Sequence, residues 1–129
     1  MNIGDAAAAT GLSAKMIRHY ESIGLVRPAQ RSDAGYRRYT DEDLRVLRFV
    51  RHARELGFGL ERIRELVSLW LDPDRASADV KRIALGHVAE LDRQIDMLRR
   101  MRDELARTAE HCHGDQRARC PILDDLASD

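Results

Sequence analysis

Apolar and polar residues alternate along this chain mostly with the period of a helix. Residues 2–10 carry the alanine run Ala6 to Ala9 behind Asp5, which is strong helix former behind an acidic first turn. Gly11 ends that helix, and Leu12 packs beneath the turn. Ser13 is an N-cap for a second helix from Ala14 to about Ile23, and Gly24 fits the left-handed position that closes it. Two short helices joined at Gly11 predict a helix-turn-helix, whose second helix enters the major groove of DNA.

The period then changes. Leu25-Val26 and Gly35-Tyr36-Arg37-Arg38-Tyr39 predict two short strands, and Arg27 to Ala34 between them predicts the loop of a hairpin, or wing. Thr40 followed by Asp41, Glu42 and Asp43 starts a third helix, with Leu44, Leu47, Phe49, Val50, Ala53 and Leu56 as its apolar positions. Gly57-Phe58-Gly59 ends it. A fourth helix runs from Leu60 to about Leu71 with Ile63, Leu66, Val67 and Trp70 on its apolar side, stopped by Asp72-Pro73-Asp74. One long helix opens at Ser77 or Ala78 and reaches about Ala109. Its stripe of Leu91, Ile95, Leu98 and Leu105, extended by Ala84 and Val88 and admitting Arg102, follows a heptad. Such a helix with no partner in its own chain predicts a homodimer through a coiled coil.

Composition agrees with a mostly α fold: 34% of residues are charged and only 5% aromatic. Net charge is zero, but Ser13 to Tyr39 holds six basic residues against two acidic ones, a local balance of +4. That patch is the footprint expected of phosphate contact. Lys15, Arg18 and Tyr20 lie on or near one face of the second helix; Arg18 suits guanine edges and Tyr20 a phosphate or sugar. No apolar run approaches a membrane span, and the N-terminus lacks a signal-peptide pattern, so a cytoplasmic protein without membrane contact is expected. No nucleophile–base pair, phosphate-binding glycine loop or paired catalytic carboxylates survive the helical reading, so no enzyme is expected.

The two cysteines, Cys112 and Cys120, share one loop after the long helix. Two thiolates suit a soft metal ion. The spacing also admits a redox disulfide or two incidental thiols, although reduced cytosol disfavours a structural disulfide. His111 and His113 flank Cys112, which leaves open a zinc site of two cysteines and two histidines. His52 and His87 read as structural, and Met97 and Met101, at helical spacing, as packing residues.

On Met1-Asn2-Ile3-Gly4, Thr10-Gly11-Leu12, Ile17-Arg18-His19-Tyr20-Glu21, Gly24-Leu25-Val26 and Gly35-Tyr36-Arg37-Arg38-Tyr39, the chain resembles the MerR family of transcriptional regulators over essentially its whole length. It is most similar to the copper-efflux (CueR/HmrR-type) branch: Ser77 precedes Ala78-Asp79-Val80-Lys81, and Cys112 and Cys120 precede Pro121-Ile122. The resemblance implies a winged helix-turn-helix DNA-binding head with linking helices (1–71), a dimerisation helix in an antiparallel coiled coil (76–110), and a metal-binding loop with a C-terminal segment (111–129). It implies promoter DNA and RNA polymerase as partners: the metal-bound homodimer distorts a promoter whose spacer is too long, and the metal-free dimer keeps it quiet. Cu(I), with Ag(I) and Au(I) as alternatives, would be held by Cys112 and Cys120. Ser77 stands where zinc- and mercury-sensing relatives carry a cysteine, and Lys81 with the nearby helix N-terminus would offset the negative charge of the bis-thiolate unit. Arg31, Tyr36 and Arg37 of the wing would clamp the DNA backbone; Tyr36 and Tyr39 read equally as core residues of the strand, and Tyr36 is the one taken as the contact. A Zn(II)- or thiol-redox-sensing regulator of the same family is the alternative.

Overall fold

The computed structural model of the chain describes residues 1–128, with Arg37 described by its backbone alone. The chain divides into two compact units, Met1–Ile83 and Ala84–Asp129.

In the first unit, helix α1 (Ile3–Thr10) is closed by a capping box between Asn2 and Asp5, and α2 (Ala14–Ser22) by the Ser13 side chain on the Met16 amide. Helix α3 (Asp41–Glu55) starts at Thr40 with a second capping box to Asp43, and α4 (Leu60–Leu71) follows. The expected caps at Ser13 and Thr40 are therefore present. Ile17 of α2, Leu47 and Val50 of α3, and Ile63 of α4 meet in one core with Ala6 of α1. Thr10 is buried beneath the helix-turn-helix, donating to the Ala6 carbonyl at 2.8 Å and accepting from the Leu12 amide at 3.4 Å. Gly11 takes φ 75°, a left-handed conformation that favours glycine.

The wing differs from the sequence expectation. Its strands are β1 (Gln30–Arg31) and β2 (Arg37–Arg38), antiparallel with Gln30 opposite Arg38 and Arg31 opposite Arg37. Leu25 and Val26 form no strand because α2 ends in a Schellman motif. Gly24 (φ 74°) donates to the Glu21 carbonyl, and Leu25 to the Tyr20 carbonyl at 3.0 Å, with Val26 on the same oxygen. Those amides are spent on the helix end, and both side chains turn into the core. Gly35, expected in the second strand, sits in the turn at φ 84°. Leu56 also departs from expectation: α3 stops at Glu55, and Leu56 beyond the stripe is exposed.

Two long-range contacts tie the N-terminus and the end of the wing to this core. Tyr39 exchanges both backbone hydrogen bonds with Met1. Its hydroxyl donates to Glu21 Oε1 on α2 at 2.6 Å, in a buried setting. Arginines close two helix ends. Arg48 of α3 donates to the Ala9 carbonyl of α1, and Arg64 of α4 donates to the carbonyls of Ile23 and Gly24 after α2. A cation is favoured at the negative end of a helix.

Helix α5 (Ser77–Glu110) begins in the first unit, where Ile83 is buried, and continues through the second. The seam residues Ile95, Leu98 and Leu105 are 45–58% exposed in the single chain, as are Met97 and Met101, which were expected to pack. A further helix, α6 (Pro121–Ala127), occupies what the sequence reading left as an unassigned C-terminal segment. Its Asp125 carboxylate accepts from the Thr108 hydroxyl of α5 at 3.1 Å. Proline at the first helical position is the signal that could have found it.

Removing the Tyr39 hydroxyl with Tyr39→Phe takes a partner from a buried carboxylate and should cost about 1.5–3 kcal/mol in denaturant unfolding. Tyr36→Phe, at an exposed ring, should leave the unfolding midpoint unchanged; equal effects would contradict the assignment.

Candidate metal centre and nucleic-acid interface

The cysteines come together because a helix ends and another begins beside them. Cys112 lies just past α5 and donates its amide to the Ala109 carbonyl at 3.1 Å. Cys120 is the N-cap of α6. Both are free, half-buried thiols bordering one cavity of about 410 Å³ with His111, His113, Asp115 and Arg117. The intervening loop is shaped locally. Asp115 accepts from the Arg117 amide at 2.9 Å and pairs with its guanidinium at 2.8 Å, and Gly114 takes φ 63°.

The Cys120 thiol is held below its ordinary range. The Leu123 amide is the main cause, partial burial opposes it, and the Ile122 amide and the Cys112 side chain add to the lowering against the nearby Asp124 carboxylate. These amides act on the sulfur without closing a standard capping hydrogen bond. The amides at the start of α6 thus make the Cys120 proton easier to lose than that of an ordinary thiol, and the thiolate is the form that ligates metal. His111 has its Nδ1 on the Arg107 carbonyl at 2.7 Å, so one of its ring nitrogens is engaged by α5. Among the described residues, no group of three or more His, Cys, Asp or Glu side chains is arranged to hold a metal ion. The two thiols share one cavity, and a pair of thiols suits a soft ion of low coordination number. Ser77 is the first residue of α5 and Lys81 lies one turn on, both exposed in the first unit.

In the helix-turn-helix, Lys15 and Arg18 are exposed and three residues apart on α2, hence on one face. Tyr20 corrects the sequence reading. It is 2% exposed, with its ring in the core that holds α2, so it offers no surface to DNA. The wing separates its two tyrosines: Tyr36 is 74% exposed and Tyr39 5%. Arg31 is exposed, with Nη1 3.3 Å from the Gly35 carbonyl across the turn. The Arg37 side chain lies outside what is described. The sequence reading missed the Leu123 and Ile122 amides, because α6 was not foreseen, and the capping roles of Arg48 and Arg64. No periodicity reports those arginine contacts, which join residues 39 to 41 positions apart.

A depressed thiol pKa favours the folded state above the unfolded thiol's pKa, and this contribution is lost as pH falls through the folded value. Site-resolved alkylation of the native reduced protein should therefore give Cys120 a midpoint below that of the same residue in urea. Coincident midpoints would contradict the helix-end environment.

No helix among the described residues is long and apolar enough to cross a membrane. Residues 1–69 match the model of the MerR HTH family regulatory proteins, and residues 44–108 match the family described as MerR, DNA binding. The chain is 53% identical over 128 residues to a heavy metal-dependent transcription regulator of Rhizobium meliloti, covering 99% of this chain and 87% of that one. It is 53% identical over 127 residues to the HTH-type transcriptional regulator CueR of Salmonella typhimurium, covering 98% and 92% respectively. Its fold is similar, at a TM-score of 0.84 and 29% identity, to a transcription regulator from Ralstonia metallidurans solved in complex with lead(II), covering 98% of this chain and 99% of that one. The chain belongs to the MerR family of helix-turn-helix transcription regulators, which are DNA-binding proteins and not enzymes.

Proposed function

We propose that the chain is a Cu(I)-responsive, dimeric transcription regulator of copper-homeostasis genes, working in the reduced cytoplasm. The observation that carries the reading is that the free thiols of Cys112 and Cys120 border one cavity, with Cys120 at the start of α6. A monovalent d10 ion takes two soft ligands, whereas zinc prefers about four. The heavy-metal regulator and the CueR protein among its relatives support the same class of signal. Ag(I) and Au(I) share the ligand preference and belong to the proposal.

Two thiolates on a monovalent ion leave one net negative charge, which needs an offset away from water. Lys81 and the N-terminal end of α5 at Ser77 are the proposed offset. A 34-residue helix rises about 50 Å. The resemblance to the family supports a second copy, paired antiparallel, as the source of that offset. The exposed Ile95, Leu98 and Leu105 supply the apolar seam for that pairing. In this reading residues 1–71 bind DNA, 76–110 dimerise, and 111–129 hold the metal.

At the promoter, Arg18 is the proposed base reader, Lys15 a phosphate contact, and Arg31, Tyr36 and Arg37 the wing clamp. Metal occupancy would alter the DNA bound by the dimer, so that RNA polymerase can use the promoter.

Anaerobic competition titration of the reduced dimer should give tight Cu(I) binding at one ion per two-cysteine loop and weak Zn(II) binding. Cys112→Ser and Cys120→Ser should each abolish copper-induced transcription. Tighter Zn(II) than Cu(I) would overturn the copper reading while keeping the regulator. Ile95→Glu should convert the dimer to monomer in sedimentation. Arg18→Ala should cost about 1–3 kcal/mol of sequence discrimination, whereas Arg31→Ala should weaken all duplexes alike and reduce the salt slope by about 0.9.

A further inference from the structure

The reading helix α2 is only nine residues long, and its buried side chains are Ile17, Tyr20 and Glu21. That packing seats the helix, but its C-terminal end is gripped by a different element. Arg64 Nη2 donates to the Ile23 carbonyl at 3.0 Å, and Nη1 approaches the Gly24 carbonyl at 3.4 Å. The carbonyls of Tyr20 and Glu21 are already taken by the amides of Leu25, Val26 and Gly24. The guanidinium fork takes the oxygens of Ile23 and Gly24, the first two residues beyond the helix. The approach is close: a Cβ on Gly24 would lie 3.4 Å from Arg64 Nη1.

Arg64 stands on a helix that is seated in the core by Ile63 and Val67, and its own half-buried side chain has Glu61 3.9 Å from Nε. The Nε atom is buried without a hydrogen-bond partner, so the two Nη contacts fix where the fork points.

We propose that Arg64 is a positioning residue for DNA recognition: its fork on the Ile23 and Gly24 carbonyls sets the angle of α2 against α4, and so holds Lys15 and Arg18 in register for the major groove. Base-edge contacts need their side chains held within about 0.5 Å and 10–20° of the productive geometry. Phosphate contacts tolerate more, because they act largely through charge. Loss of Arg64 should therefore cost sequence discrimination and spare non-specific binding. Lysine should not replace it, since one ammonium on a flexible stem lacks the planar fork that spans two carbonyls. The inference rests on α2 being the DNA-reading helix.

The test uses the full-length reduced dimer. A duplex is selected from a random pool with the native protein, and a scrambled duplex of the same composition serves as the non-specific probe. Native protein, Arg64→Met and Arg64→Lys are compared by fluorescence anisotropy at one salt concentration, alongside melting temperature and Cu(I) titration. In both variants, affinity for the selected duplex should fall about tenfold, the loss of one good base contact. Affinity for the scrambled duplex and for Cu(I) should stay within about twofold, less than 0.5 kcal/mol. Arg64→Lys keeps the charge and the long stem, and so carries the test if Arg64→Met does not fold. Equal losses on both duplexes with a lower melting temperature would make Arg64 merely structural and overturn the proposal. Native-like discrimination in either variant would overturn it as well. A native protein that selects no duplex would instead defeat the DNA-reading assignment of α2.

Discussion

The hydrogen bond from the Tyr39 hydroxyl to Glu21 joins the two parts of the head that a helix-turn-helix cannot join by itself. Glu21 lies on α2, and Tyr39 stands at the end of the wing, 18 residues away. A two-stranded ribbon is marginal in water without an anchoring surface. Here β1 and β2 are two residues each, so the ribbon borrows its order from Tyr39, whose ring is in the core and whose backbone pairs with Met1. A hydrogen bond to a buried carboxylate is directional and expensive to leave unmade. The wing thus cannot slide without unmaking it. The same bond sorts the tyrosines: the one that holds Glu21 is buried, and the one three residues earlier is left on the surface.

Charge is handled differently in the two units. In the head, arginines reach across elements to helix-end carbonyls, where a guanidinium, exposed at Arg48 and partly buried at Arg64, meets concentrated partial negative charge. Along α5 charges pair within their own helix: Asp79 with Arg82, Glu90 with Arg93, and Asp96 with Arg99. Such exposed pairs are worth a few tenths of a kcal/mol each. They favour helix locally but do not cover Ile95, Leu98 and Leu105. Most helix stability in proteins comes from burying an apolar face, and that physical argument for a second copy is independent of any family likeness.

The sequence discloses an element wherever local chemistry decides the outcome. Ser13, Thr40 and Gly24 specify helix ends through caps that act over three or four residues, and the bounds of α3 and α4 follow closely. It misleads where one local motif overrides another. Leu25 and Val26 have β-branched and apolar character suited to a strand, yet the Schellman closure of α2 claims their amides first. The face of α2 was equally ambiguous: Tyr20 carries a polar tip that reads as a contact, but its ring completes the core beside Ile17. The pairing of Cys112 with Cys120 was legible from their shared loop. The thiolate environment was not, because it depends on amides of α6, whose seven residues are too few for a periodic signal.

The loop that carries the thiols is built to a different rule from the core. Its hydrogen bonds are short-range: His111 to Arg107, Arg117 to Asp115, and Cys112 to Ala109. The Thr108–Asp125 bond ties α6 to α5 over a longer stretch of chain. Local turns fix where Cys112 leaves one helix and Cys120 enters the next, so ordering of the donors precedes any ligand. A loop ordered by its own turns has little backbone entropy left to lose on binding a ligand.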